Sequence, residues 1–229
     1  MLDGVYVWQF AQYPLVSNSC NMPKPNTIIP APQREALLEC FRPITRLVQP
    51  ELRRQLVLVG GAASIAHSSV LKTEDVDVAA PSSALIDIWE GASTGALNFT
   101  IESDGKIAFD APQGFRVRVN IIELGNGVIE RIHVTEPFHD GSVASMSDLL
   151  LLRAVTVVDR GGDGDIADFK WLLAGVARRG QFPAVDDEEL GWLVSAGDAC
   201  LGKLGRLVIA GILGENNEAA AMRLLGIYK

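Results

Sequence analysis

The chain has 229 residues, and its 28 aspartates and glutamates outnumber its 20 lysines and arginines, which gives a net charge of −8 at pH 7. Such an acidic chain lacks the clustered positive charge of a general nucleic-acid-binding protein, so that class is excluded. A hydrophobic content of 48% predicts a folded chain, and no apolar run is long enough to predict a membrane-spanning helix. The three cysteines are widely spaced and form no CxxC pair, so we expect a reducing compartment and a cytoplasmic protein.

The first part of the chain is rich in proline. We expect an extended arm over residues 1–32, because each proline removes a backbone donor and biases the residue before it to extended geometry. Apolar residues at helical spacing predict a helix from Gln33, with a proline in its middle marking a break or kink. The apolar run Leu56–Val59 then predicts a buried strand that ends in the turn Gly60-Gly61, and a small-residue helix follows from Ala62.

Strand signals dominate the next part of the sequence. Asp75 to Val78 alternates carboxylate and valine, which is a strand pattern, and Ser82 or Ser83 is a candidate N-cap for the helix that follows. Asp104-Gly105 lies between two short apolar segments and predicts a β-hairpin. Phe115–Leu124 predicts another strand.

From Ser145 onward the hydrophobic pattern becomes helical. Strands early and helices late predict an α+β protein. The expected organisation is the extended arm, an α+β core over residues 33–140 and a helical C-terminal part over residues 141–229.

Two aspartates on one strand are the first candidate for a chemical site. Thr73, Asp75 and Asp77 share one face of the predicted strand, and residues two apart on a strand lie roughly 6.5–7 Å from each other. Paired carboxylates bind hard cations such as Mg²⁺, with water and substrate phosphates completing the coordination. The alternative for an isolated Asp-x-Asp pattern is a solvated strand face.

The glycine turn is the second candidate. Gly60 and Gly61 allow close backbone approach to a phosphate, and the following helix offers free N–H groups and the hydroxyl of Ser64. The alternative is a plain tight turn.

The combination of these two features is more specific than either alone. A strand, Gly60-Gly61 and a helix, followed by Thr73-Glu74-Asp75-Val76-Asp77-Val78, resembles the nucleotidyltransferase superfamily with its polymerase-beta-like fold, and especially the minimal and toxin–antitoxin-associated members. The resemblance implies a nucleotidyltransferase-like mixed β-sheet flanked by helices, with Asp75 and Asp77 as catalytic metal ligands. It further implies Mg²⁺ or Mn²⁺ as cofactor, an NTP as substrate, and Gly60, Gly61, Ser64 and Thr73 at the nucleotide. The acceptor stays open between a small molecule, RNA and a protein.

The sequence departs from that family at one position. The family usually places a third carboxylate on a later strand, and Asn120 occupies the matching position here, so we include Asn120 in the catalytic set. An amide coordinates through its oxygen but adds no charge and cannot act as a base. This departure favours, as an alternative, a catalytically weak or inactive relative that binds a nucleotide or a partner protein. Adaptation of the fold to non-nucleotide chemistry is a further alternative.

Four arginines are candidate phosphate contacts. Arg116 and Arg118 share a strand face with Asn120, and guanidinium groups bind phosphate oxygens in a bidentate manner; the alternative is ordinary surface arginines. Arg153 and Arg160 match basic positions of the family's helical segment, and Asp165 and Asp168 match its acidic positions. A structural tie between arginine and aspartate is favoured there over direct catalysis.

Overall fold

The computed structural model describes residues 28–126, 128–179 and 182–227. Seven strands and eight α-helices lie in these ranges. The strands are β1 (Val57–Val59), β2 (Asp75–Ala80), β3 (Phe99–Ile101), β4 (Ile107–Asp110), β5 (Arg116–Glu123), β6 (Thr135–Phe138) and β7 (Gly141–Ala144). The helices are α1 (Ala31–Leu47), α2 (Gly60–Ala66), α3 (Ser82–Ser93), α4 (Met146–Arg160), α5 (Asp163–Arg179), α6 (Asp187–Leu201), α7 (Gly205–Leu213) and α8 (Glu218–Leu224). The protein is therefore of the α+β class, as the sequence predicts. Of the predicted arm, residues 1–27 lie outside the described part of the chain.

One mixed sheet organises the core. Its strand order is β3-β4-β5-β2-β1-β7-β6, with β2 parallel to β5 and β1 parallel to β7, and the other neighbours antiparallel. The predicted hairpin is confirmed as β3 and β4. Val76 and Val78 of β2 are fully buried, so Asp75 and Asp77 point to the opposite face of the strand.

The end of the sheet differs from the sequence expectation. Strands β6 and β7 were not predicted, and β7 extends the sheet to Ala144, past the boundary expected at residue 140. Their sequences, Thr-Glu-Pro-Phe and Gly-Ser-Val-Ala, lack apolar alternation. All of β7 is nevertheless buried, because it lies between β1 and β6.

Helix boundaries differ in three places. Helix α1 begins at Ala31 and continues past Pro43 without a break, since Cys40, Phe41 and Ile44 around the proline are fully buried in the core. Helix α2 begins at Gly60, two residues before the expected start, and ends at Ala66. Pro81, rather than a serine, precedes α3, and no side-chain hydrogen bond caps that helix in the described structure.

The helical C-terminal part packs against the sheet through α2. Helix α4 starts after Ser145, whose hydroxyl accepts a hydrogen bond from the backbone N–H of Asp148. It ends at Arg160 and is followed by Gly161, which has φ of 59°. Helices α4 and α5 contact each other, and both contact α2. This arrangement places one side of α4 and α5 over the glycine turn. No helix in the described ranges is long and apolar enough to cross a membrane.

Candidate functional site

The glycine turn lies directly against the aspartate strand. Gly60 has φ of 64°, and a Cβ atom built on it would lie 2.1 Å from Oδ2 of Asp77. A Cβ on Gly61 would lie 2.7 Å from Oγ1 of Thr73. Both distances are shorter than atoms tolerate, so the turn requires glycine for steric reasons as well as for the positive φ of Gly60.

An amide joins the two carboxylates. In the parallel register of β2 and β5, Asp77 lies opposite Asn120. The Asn120 Nδ2 group donates to Oδ2 of Asp75 at 3.1 Å and to Oδ1 of Asp77 at 2.9 Å. The Thr73 hydroxyl donates to Oδ1 of Asp75 at 3.0 Å. These four residues, which we call the floor, therefore form one connected group with two carboxylates on one face.

The floor carries negative charge that no described basic residue neutralises by direct contact. Burial and the neighbouring Asp75 charge raise the pKa of Asp77, while the Asn120 hydrogen bond and the charges of Arg153 and Arg160 oppose that rise. Both arginines thus act on Asp77 through space rather than through an ion pair. A cation bound between the carboxylates would remove this unfavourable charge.

The opposite side of the site is formed by α4 and α5. Arg153 forms ion pairs with Asp165 at 2.6 Å and with Asp168 at 2.9 Å, and its side chain is only 14% exposed. The Ser64 hydroxyl donates to Oδ2 of Asp168 at 3.1 Å, which ties α2 to α5. The expected arginine–aspartate tie is therefore present, and we call Arg153, Asp165 and Asp168 the wall.

Asp168 has an unusual environment within the wall. Burial raises its pKa, while the charge of Arg153 opposes the rise. Its Oδ1 atom is buried and has no hydrogen-bond partner among the described residues. Arg153 compensates this carboxylate by a direct ion pair, in contrast to the aspartates of the floor.

A cavity of about 1120 Å³ separates floor and wall. Nine candidate residues line it: Gly60, Gly61, Ser64, Thr73, Asp75, Asp77, Asn120, Arg153 and Arg160. The Arg160 side chain is 69% exposed, and its guanidinium lies 3.5 Å from Oδ1 of Asp165. Arg160 therefore presents a positively charged, weakly paired side chain beside the cavity.

Arg116 and Arg118 are placed elsewhere. The lining of the cavity enclosed by the described residues does not include them. Arg116 pairs with Glu102 at 3.1 Å and Asp110 at 2.9 Å, and Arg118 pairs with Glu102 at 3.0 Å. Both are surface arginines bound to acidic residues on or beside the β3–β4 hairpin, which is the alternative interpretation of the sequence pattern.

The sequence interpretation missed part of the lining. Thr156 and Asp159 of α4 and the apolar residues Ile122 and Leu152 line the same cavity. Arg153, Thr156 and Arg160 recur at intervals of three and four residues in a leucine-rich helix, and this spacing places them on one helix face. This periodicity in the sequence could have identified Thr156 as a residue on the same side of α4 as the two arginines.

The donor set of the floor fits one hard cation. Oδ2 of Asp75 and Oδ1 of Asp77 converge on the same Asn120 nitrogen, so they are close enough to share a small positive group. All side-chain ligands there are oxygens once the amide presents Oδ1, as Mg²⁺ prefers. Within residues 28–126, 128–179 and 182–227, no three histidine, cysteine or carboxylate side chains are grouped to hold a metal ion. Any cation therefore depends on two carboxylates and other oxygen donors.

Glu123, the next carboxylate along β5, does not extend this set. It accepts hydrogen bonds from Ser82 and Asn126, and the cavity lining described above does not include it. Asn120, rather than Glu123, is therefore the polar side chain of β5 that contacts both aspartates.

No protein-family model matches the chain, and no curated protein is similar to it in sequence.

Proposed function

We propose that this chain is a nucleotidyltransferase with a polymerase-beta-like fold, which uses Mg²⁺ or Mn²⁺ to move a nucleoside monophosphate from an NTP to an acceptor hydroxyl. The main support is the placement of Asp75 and Asp77 side by side, against the Gly60 turn, in a cavity that also contains Arg153 and Arg160. The resemblance of residues 56–81 to that superfamily agrees with this placement.

Each part of the cavity has a role in this reaction. The bound cation would polarise the phosphate oxygens and neutralise developing charge. Asp75 and Asp77 would hold this cation, and the backbone of Gly60 and Gly61 would be available to the phosphates. Arg160, exposed and weakly paired, contacts the outer phosphates.

The acceptor oxygen forms a bond to the α-phosphorus. The bond between the α-phosphorus and the oxygen that bridges the α- and β-phosphates breaks, and pyrophosphate leaves. Asn120 cannot take the hydroxyl proton, since an amide is not a base. The proton therefore leaves to water. General-base assistance is typically worth roughly 10²–10⁴-fold in rate, so we expect slow transfer.

Label transfer from α-labelled NTPs, in Mg²⁺ or Mn²⁺, tests the proposal. The Asp75→Ala, Asp77→Ala double variant should lose transfer and cation-dependent nucleotide binding while remaining folded. The matched control is Asp104→Ala with Asp110→Ala, two aspartates on or beside the hairpin and outside the described cavity lining. Transfer that survives loss of Asp75 and Asp77, or that fails equally in the control, would contradict the assignment.

A second candidate is nucleotide binding without transfer. The observation in its favour is the Asn120 amide, which donates to both carboxylates and adds no negative charge. Calorimetric titration of each NTP in Mg²⁺ distinguishes the two: binding with no label transfer in any acceptor mixture supports the second candidate, and binding with transfer supports the first.

A further inference from the structure

All four carboxylate oxygens of Asp75 and Asp77 have close neighbours. The two inner oxygens, Oδ2 of Asp75 and Oδ1 of Asp77, both accept from Nδ2 of Asn120. The outer Oδ1 of Asp75 accepts from Thr73, and the outer Oδ2 of Asp77 lies against Gly60. A cation that bridges the two carboxylates would bind at the inner oxygens, where the amide hydrogens now point.

The orientation of the Asn120 amide follows from this arrangement. An amide nitrogen carries two hydrogens, one for each carboxylate, whereas an amide oxygen in the same place would face two negative oxygens. The amide thus lessens carboxylate repulsion in the protein without a cation. The same group opposes a cation, because its hydrogens occupy the cation's position.

We propose that the Asn120 amide substitutes for a cation between Asp75 and Asp77, and that the site admits a single divalent cation when the amide rotates to present Oδ1. This inference deepens the metal site of the proposed function and rests on it. With the amide turned, three protein oxygens face the cation.

Charge limits the site to one ion. Two carboxylates balance one divalent cation, and a pair of ions 3.5–4 Å apart needs further bridging anionic ligands. Asn120 is neutral, and both carboxylates of the wall, Asp165 and Asp168, are already bound to Arg153. An aspartate at position 120 would add the missing charge.

Manganese stoichiometry tests the limit directly. The full chain is titrated with Mn²⁺ alone, without nucleotide, and bound ions are counted by electron paramagnetic resonance. We expect one tightly bound Mn²⁺ in the natural protein, and two magnetically coupled ions in Asn120→Asp. The control Gln49→Glu adds the same charge at an exposed position outside the described cavity lining and should bind one.

Rotation of the Asn120 side-chain amide can be measured separately by NMR. In ¹⁵N-labelled natural protein, the Asn120 side-chain NH₂ signals, identified by their absence in Asn120→Ser, should move upfield when Mg²⁺ is added, because both hydrogen bonds to carboxylates break. This measurement remains decisive if Asn120→Asp does not fold.

Two coupled ions in the natural protein, one ion in a folded Asn120→Asp variant, or Asn120 signals that stay unchanged at saturating Mg²⁺ would each overturn the inference. Absence of label transfer with one bound Mn²⁺ and a moving amide would instead count against the proposed reaction alone.

Discussion

The floor and the wall of the cavity stabilise neighbouring aspartates in different ways. Both bring two aspartates together at partly buried positions beside the cavity. The wall pairs Asp165 and Asp168 with the buried guanidinium of Arg153, whereas the floor holds Asp75 and Asp77 with the neutral amide of Asn120. Carboxylates with a permanent cation are part of the structure, while carboxylates held by a neutral donor keep their charge for a ligand. The difference makes the floor, rather than the wall, the place for the proposed cation.

Breaking the ion pairs of the wall should have the largest effect on stability. Arg153→Met keeps an aliphatic stem but leaves two mostly buried carboxylates without their counter-charge, and breaking a buried pair in this way costs about 3–5 kcal/mol. Arg160→Met on the same helix is the control, since its exposed pair is worth about 1 kcal/mol or less. Urea denaturation measures both. Equal losses in the two variants would show that the wall is not held by Arg153.

A substitution in the glycine turn should have the second-largest effect on stability, through the contact of Gly60 with Asp77 in the floor. Gly60→Ala places a methyl group on the Asp77 carboxylate and adopts a positive φ, which together cost roughly 2–4 kcal/mol. Gly95→Ala is the matched control: φ there is 88°, but nothing described lies within 4 Å of the new Cβ, so only the backbone cost of roughly 1–2 kcal/mol applies. Gly60→Ala should also abolish Mn²⁺ binding, which Gly95→Ala should retain. If both variants lose the same stability and bind Mn²⁺ equally, the turn does not position Asp77.

The smallest expected effect is the pH dependence of the floor. Because the pKa of Asp77 is raised in the folded protein, its contribution to stability is complete below the ordinary pKa near 3.8 and is lost as pH rises through the raised value. The natural protein in EDTA should therefore lose stability relative to Asp77→Asn between acidic and neutral pH. Saturating Mg²⁺ should reduce that loss, because the cation favours the ionised carboxylate. Urea denaturation at a series of pH values measures the difference, and parallel curves for the two proteins would contradict an ionised, uncompensated Asp77.

The sequence predicts the floor well because its signals are local. Alternation along residues 73–78 specifies which side chains share a face, and Gly60-Gly61 after an apolar run specifies a turn beside them. The strand face of Asn120 follows from the same two-residue period. Six successive residue pairs in the β2–β5 register then bring Asn120 opposite Asp77.

The sequence is less informative where long-range contacts decide. Strand parity places Arg118 on the same face as Asn120, but it says nothing of Glu102 and Asp104, which pair with Arg118 beside the sheet. Strand β7 is similarly hidden, because Gly-Ser-Val-Ala has no strong strand propensity and is buried only by its neighbours. Asp168 meets Ser64 across more than a hundred residues of chain, a contact no local pattern contains.

The strand order has a consequence for synthesis of the chain. Val57 and Leu58 of β1 pair with Ser142 and Val143 of β7, so the middle of the sheet joins an early segment to a much later one. Until residues 141–144 have left the ribosome, β1 presents a free edge of unpaired backbone groups on an apolar strand, which is a template for aggregation. Fragments that end before Gly141 should therefore aggregate through the free edge of β1, so shielding of that edge matters most during translation of the segment between β1 and β7.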